Sequence, residues 1–217
     1  MLGSVVSVLV RLVELGGSAV GVRHGTEEPR YTVEQQIAGV EIRRYGPRIA
    51  AETAVAASEE AARNVGFRRL ARYIFGANHA AAKIAMTAPV AQQPGSVRGQ
   101  KIAMTAPVSQ RAGADGEWVI RFFMPADKTM ESLPEPDDDA VKLVTIPTET
   151  IAVRRFTGSR SRRAIASQTA ELMRALPFLR DKGFEPTGPP AAWFYDPPWT
   201  IPMLRRNEVV VPVKPNP

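Results

Sequence analysis

Residues 31–76 read YTVEQQIAGVEIRRYGPRIAAETAVAASEEAARNVGFRRLARYIFG, and their punctuation decides the fold. Tyr31–Ile37, Val40–Tyr45 and Arg48–Ala56 are short runs rich in β-branched and aromatic residues. Gly39 and the pair Gly46-Pro47 separate them, so they read as three strands joined by tight turns. The pattern then changes period. Ser58 can cap a helix, and Glu59 and Glu60 stand in its first turn, where carboxylates suit the helix dipole. Val65, Leu70, Tyr73 and Ile74 recur at helical spacing with Phe67 beside them, and Gly76 ends the run.

Working outward, KIAMTAPV occurs twice, at Lys83–Val90 and at Lys101–Val108. The loop between them carries Pro94, Gly95 and Gly99. Alternation within each copy predicts two strands of a hairpin, with Ile, Met and Ala on one face. Trp118–Met124 is the next strand, and residues 125–140 form a Pro- and Asp-rich loop ending in a solvated PEPDDDA. Val141–Ile146 and Thr150–Phe156 are strands. Ser159 or Ser161 caps a second helix, which runs to about Asp181 and stops at Gly183. Trp193–Tyr195, the turn DPPWTIP and a last strand Glu208–Val213 follow. The order strands, helix, strands occurs twice. That predicts an α+β fold of two similar antiparallel halves, each with one helix. Residues 1–28 are an N-terminal extension and 29–217 a single domain.

Composition narrows the chemistry. The chain has 217 residues, 44% hydrophobic and 23% charged, which excludes disordered, collagen-like and coiled-coil classes. It has no cysteine, so disulfide scaffolds, thiolate metal sites and cysteine nucleophiles are excluded. His24 and His79 are the whole imidazole supply, a poor basis for a triad or a zinc enzyme. The net charge is +6, and arginine dominates the basic residues. The densest clusters are Arg68-Arg69 with Arg72, Arg160 with Arg162-Arg163, and Arg205-Arg206. No nucleic-acid-binding motif accompanies them, so no nucleic-acid partner is expected. In the extension, Val5, Val8, Leu9, Leu12 and Val13 repeat at helical spacing. Arg11 and Glu14 interrupt them, so the stretch is too short and charged to span a membrane and lacks the marks of a signal peptide. It reads as an amphipathic helix docked on the domain. The sharper alternative is peripheral membrane contact through residues 1–15. A cytoplasmic location, at or away from a membrane, is the matching expectation.

Four stretches carry a family resemblance: VEIRRYGPRIAAET (40–53), GFRRLARYIFGAN with KIAMTAPV (66–90), RFFMPADKTMESLPEP with its following strands (121–157), and YDPPWTIPMLRRNEVVV (195–211). In this order they resemble the SOUL haem-binding family, and the extra KIAMTAPV copy resembles its bacterial members. The resemblance implies a distorted antiparallel β-barrel of two pseudo-symmetric halves, each with one α-helix. It also implies reversible, non-catalytic binding of haem or other tetrapyrroles. By fold analogy the family is similar to the effector-binding domains of multidrug-sensing regulators, which take flat hydrophobic ligands.

The family's cleft lies between the first helix and the loop before the last strand. Carried over, the helix supplies Phe67, Leu70, Ala71 and Arg72, and the loop supplies Trp199, Thr200 and Met203. A porphyrin is a large apolar disc with two propionates, so it needs apolar walls and cations at the rim. Phe67, Leu70 and Trp199 suit the walls, and Arg72 suits a propionate. Thr200 stands where some relatives carry a Lys. The competing structural reading makes Phe67 and Leu70 core contacts, Trp199 a lid and Arg72 a solvated cation.

The resemblance also implies an axial His in the motif EIRRYGP, where this chain has Arg44. His79 is the remaining candidate iron ligand near the site. Met86 and Met104 are equivalent in the two repeat copies and are expected in the core, and Tyr45 and Tyr73 are outside candidates. Affinity without ligation, from burial and propionate pairing alone, is a further alternative. Two other functions stand against a carrier: an enzyme using Glu208, Tyr195 or His79 as acid or base, and a membrane-associated interaction module. The acid of the RRNE run reads equally as a structural partner of Arg205 or Arg206. The oligomeric state is not legible in the sequence.

Overall fold

The computed structural model describes residues 26–79, 99–113, 116–197 and 199–216. The strands are β1 (Tyr31–Ile37), β2 (Val40–Tyr45), β3 (Arg48–Val55), β4 (Asn78–His79), β5 (Val108–Ala112), β6 (Trp118–Phe123), β7 (Glu135–Pro136), β8 (Lys142–Ile146), β9 (Glu149–Phe156), β10 (Phe184–Pro186), β11 (Ala191–Phe194) and β12 (Asn207–Pro215). The helices are α1 (Glu59–Ile74) and α2 (Arg162–Asp181). A short 3-10 turn covers Pro202–Leu204.

The main sheet runs β1-β2-β9-β12-β11-β5-β6-β3-β8, with β10 also on β12. The order from β2 to β8 is a palindrome of two units. One is β2, β3, α1, β5, β6; the other is β8, β9, α2, β11, β12. In each unit the strand before the helix pairs with the last strand, as β3 with β6 and β9 with β12. Each unit lends its first strand to the other: β2 pairs with β9, and β8 with β3. The halves meet where β5 pairs with β11, with Gln110 opposite Ala192. The two-half α+β plan therefore holds, with an interlock that sequence periodicity does not show. Among the described residues the strands do not close into the expected barrel: β1 and β8 end the strand order without pairing to each other. β1 carries Glu34, Gln35 and Gln36 at exposed positions, as a solvated edge strand does.

Both sheet faces are buried. On β12, Val209, Val211 and Val213 face α2, packing with Ile165, Leu172, Ala175 and Leu179. Val210, between them, faces the inner side with Tyr45, Phe123, Ile151, Val153 and Trp193. The same alternation places Ile120 and Phe122 of β6 under α1 and Phe123 inside. The two helices thus cover the outer face, and the inner face is shared by both halves.

α1 begins and ends where Ser58 and Gly76 predict, although the Ser58 side chain makes no capping bond. Gly76 has φ +111°, a left-handed region natural to glycine. α2 is capped by Ser161, whose hydroxyl accepts from Ala164 N. Ser161→Ala should cost about 1 kcal/mol of stability, read as a lower denaturation midpoint with unchanged slope; Ser159→Ala should cost less.

The repeat behaves differently from the expected hairpin. The first copy, with Met86, lies outside the described residues, as do His24 and most of the extension. The second copy is not a strand. Ile102, Thr105 and Ala106 are buried while Ala103 and Met104 are exposed, which breaks the alternation. Met104 is 43% exposed and so is not a core methionine. Pro107, after a cis peptide bond, has no N–H to give a ladder, and pairing starts one residue later at Val108.

Candidate functional site

At 100° per residue, Phe67 and Arg72 are about 140° apart around α1. The two flanks of the helix accordingly see different chemistry. Ala62, Gly66, Leu70, Tyr73 and Ile74 point into the sheet. Arg63, Phe67 and Ala71, four residues apart in turn, line the flank toward β5 and β11. Phe67 meets Phe122 edge-on at 5.3 Å between ring centres. The Arg63 guanidinium lies 5.2 Å from the Phe194 ring and donates toward Gln110. Arg160 lies 5.7 Å from the same ring and donates to the Asp196 carbonyl at 3.0 Å. Burial holds the Arg63 pKa below its usual value. Burial, then the like charges of Arg205 and Arg63, lowers Arg160 to about 10. Two half-buried guanidiniums thus meet on one ring, with Glu59 and Glu60 near Arg63 and Asp196 near Arg160. The sequence places Arg160 in a basic cluster with Arg162-Arg163 and gives no role to Arg63, which lies one turn before Phe67.

The loop between β11 and β12 starts from this cluster. Arg206 N donates to Asp196 Oδ2 at 2.6 Å, which closes the loop at its ends, and Gly158 N donates to the Pro202 carbonyl at 2.8 Å, which holds its middle. Thr200 is fully buried; its carbonyl accepts from Arg205 Nε at 2.7 Å. Trp199, Ile201, Met203 and Leu204 are exposed on the same loop, Trp199 at 60% and Met203 at 77%. Of the expected site residues, then, Phe67 and Ala71 lie half-buried on one flank, and Trp199 and Met203 present apolar surface from the loop. Leu70 and Thr200 lie wholly beneath the surface.

Arg72 faces the other way. With Arg69, Tyr73 and Ala77 it lines a depression of about 580 Å³ whose far wall is Pro136–Val141, including Asp137, Asp138 and Asp139. Arg69 pairs with Asp138 at 3.2 Å. His79 stands nearby on β4, exposed, with Nδ1 2.8 Å from Asp137 and Nε2 3.3 Å from Glu135. The hydrogen bond to Asp137 raises its pKa. Among the described residues no group of three or more His, Cys, Asp and Glu is placed to hold a metal ion.

A second cluster lies on the inner face. Glu208 is 0% exposed and Arg43 is 2% exposed. Glu208 accepts from Arg43 at 3.0 and 3.2 Å, from Arg206 at 3.0 and 3.1 Å, and from the Tyr195 hydroxyl at 2.6 Å. Burial, then the Glu208 charge, pushes the Tyr195 pKa well above its usual value. Glu208 is thus the structural partner of Arg206 that the sequence offered as one reading, and also of Arg43, which is 165 positions away.

These features define a class: an α+β domain of two interlocked pseudo-symmetric halves, each roofed by a helix, with an apolar loop beside the first helix. Within that class the chain belongs to the SOUL heme-binding protein family, whose model matches residues 26–212. A search of curated proteins finds no match. Among solved structures, the EcmrR C-terminal domain is similar, at 13% identity and a TM-score of 0.53, covering 85% of this chain and 98% of that one. A cryo-EM structure of an EcmrR–DNA complex has 12% identity and a TM-score of 0.53, over 81% of this chain and 57% of that one. At such identities the likeness shows the fold alone. No helix among the described residues is long and apolar enough to cross a membrane.

Proposed function

We propose that the protein binds haem or other tetrapyrroles reversibly, as a non-catalytic carrier or buffer, on the α1 flank facing the 196–206 loop. The observation that carries this reading is the family match across residues 26–212. The chemistry of the flank supports it. Phe67, Ala71, Trp199 and Met203 supply apolar and aromatic wall, with Leu70 and Thr200 as the packed layer behind. Arg63 and Arg160 supply the cations for the propionates, a role Arg72 is poorly placed to fill beside three aspartates. His79 is a weaker fit for iron: both its ring nitrogens face carboxylates, on the Arg72 side of the helix. Binding in this reading rests on burial and ion pairing, so metal-free protoporphyrin is a ligand too. Peripheral membrane contact through residues 1–15 falls outside the described residues.

The test is charge removal. Arg63→Met and Arg160→Met should each weaken haemin binding about tenfold, the scale of one charge-assisted hydrogen bond. The propionate dimethyl ester should bind both variants and the parent alike. Equal haemin affinity in all three proteins would refute the placement. His79→Ala should leave affinity and the absorption spectrum of the haemin complex unchanged.

A further inference from the structure

The segment before β1 crosses the inner face. The Glu27 carbonyl accepts from Ala106 N, and its carboxylate from Ala126 N, both at 2.9 Å. The Glu28 carboxylate reaches Arg206 at 2.9 Å. The Tyr31 ring, 38% exposed, lies 5.2 Å from the Tyr45 ring and 4.3 Å from the Arg43 guanidinium. One short strap thus lays a carboxylate on a cation and an aromatic ring on an aromatic ring.

On the other side of this cluster, Arg48, the first residue of β3, shares the Tyr45 ring with Tyr31 and stands beside Glu149, the first residue of β9. Its side chain is 9% exposed and its terminal nitrogen Nη2 pairs with Glu149. Its Nε and Nη1 have no hydrogen-bond partner among the described residues. The guanidinium lies 4.3 Å from the Tyr45 ring, 4.8 Å from Phe123 and 6.0 Å from Trp193. Buried donors are nearly always paired, so two in one side chain call for an acceptor. A guanidinium sandwiched by rings offers its free donors in its own plane, the geometry that a carboxylate meets with both oxygens. Glu208, the buried carboxylate of this face, is already engaged by Arg43, Arg206 and Tyr195, so the free groups on offer are donors.

We infer that the inner face around Arg48 is a second binding site, for a small aromatic carboxylate. The ligand's carboxylate takes Nε and Nη1 of Arg48, its ring packs against Tyr45 and Trp193, and the strap at 26–31 is a built-in competitor for the same face. The site shares no residue with the tetrapyrrole flank. A strap that occupies the site most of the time lowers the apparent affinity in proportion, so weakening the strap raises it.

The probe is 1-pyrenebutyrate, titrated by fluorescence into the full-length protein, with the trimethylammonium analogue of the same ring as the cationic control. Glu28→Gln combined with Tyr31→Ala should tighten pyrenebutyrate binding about tenfold. Adding Arg48→Met should remove that binding. Arg48→Lys, which keeps the charge and loses the fork, should fall between the two and covers the case in which Arg48→Met does not fold. Binding that is indifferent to Arg48, equal for the cation, or unchanged by the strap substitutions would overturn the inference. Haemin affinity should not change in the Arg48 variants, so failure of this site and failure of the tetrapyrrole reading are told apart.

Discussion

Glu208→Gln is expected to lower the unfolding free energy by about 3–5 kcal/mol, the cost of leaving a buried charge without its partner. The side chain is fully buried and receives hydrogen bonds from two arginines and a tyrosine. Burial by itself would lower the Arg43 pKa; Glu208, Tyr45 and Glu41 outweigh it, and the pKa ends above its usual value. Removing the charge while keeping the shape leaves Arg43 with Glu41 at 2.7 Å as its remaining carboxylate. Because Arg43 is on β2 and Glu208 on β12, the pair also ties the lent strand of one half to the other half. Adding Arg43→Met to Glu208→Gln should recover part of the loss, since the orphaned cation goes as well. Chemical denaturation reads both effects. A loss below about 1 kcal/mol, the range of exposed ion pairs, would show that water reaches this cluster.

The second large effect is at Gly66. A Cβ there would stand 2.4 Å from Ile120 Cγ1 and 2.8 Å from Ile120 Cβ. Alanine favours helix over glycine by about 1 kcal/mol, so on propensity alone Gly66→Ala would stabilise. The clash reverses the sign: overpacking of this kind costs about 1–3 kcal/mol, and α1 must lift off β6 to relieve it. Gly66→Val should be worse. Ile120→Ala removes the opposing γ carbons, so the double substitution should be less harmful than the sum of the two singles. Since α1 carries Arg63, Phe67 and Ala71, Gly66→Ala should also weaken haemin binding. A stabilised Gly66→Ala would mean that α1 sits farther from the sheet.

Most local structure was legible in the sequence because it is set by neighbours along the chain. Gly39, Gly46-Pro47 and Gly76 mark turns, and Ser58 and Ser161 mark helix starts within a residue of where they occur. α2 runs on to Asp181 through Pro177 and stops ahead of Gly183, as expected. What could not be read was pairing at a distance. The exchange of β2 and β8 between halves depends on which strands meet after folding, and β2 and β3 give no sign that they part company. The short pair β4–β7 joins Asn78-His79 to the acidic loop, where local composition predicts only solvated chain. In the second KIAMTAPV copy an alternating pattern was overridden by contacts: Thr105 bonds the Phe123 carbonyl and bridges to Glu27.

The candidate site divides the same way. Of the residues expected on α1 and in the loop before β12, Trp199 and Met203 are exposed, whereas Leu70 and Thr200 are buried. The direction in which each arginine points was not legible, because it depends on helix phase against a distant wall. Arg72 looks equivalent to Arg63 in the sequence, yet the helix turns it toward Asp137–Asp139 while Arg63 meets Phe194 and, across the halves, Arg160.

The most direct measurement is an equilibrium titration of the purified protein with haemin and, separately, with metal-free protoporphyrin. Absorbance and tryptophan quenching are followed, with Trp199→Phe to isolate the loop reporter. The account predicts saturable one-to-one binding of both ligands, with quenching largely lost in Trp199→Phe. Absence of saturable binding by either ligand would contradict it.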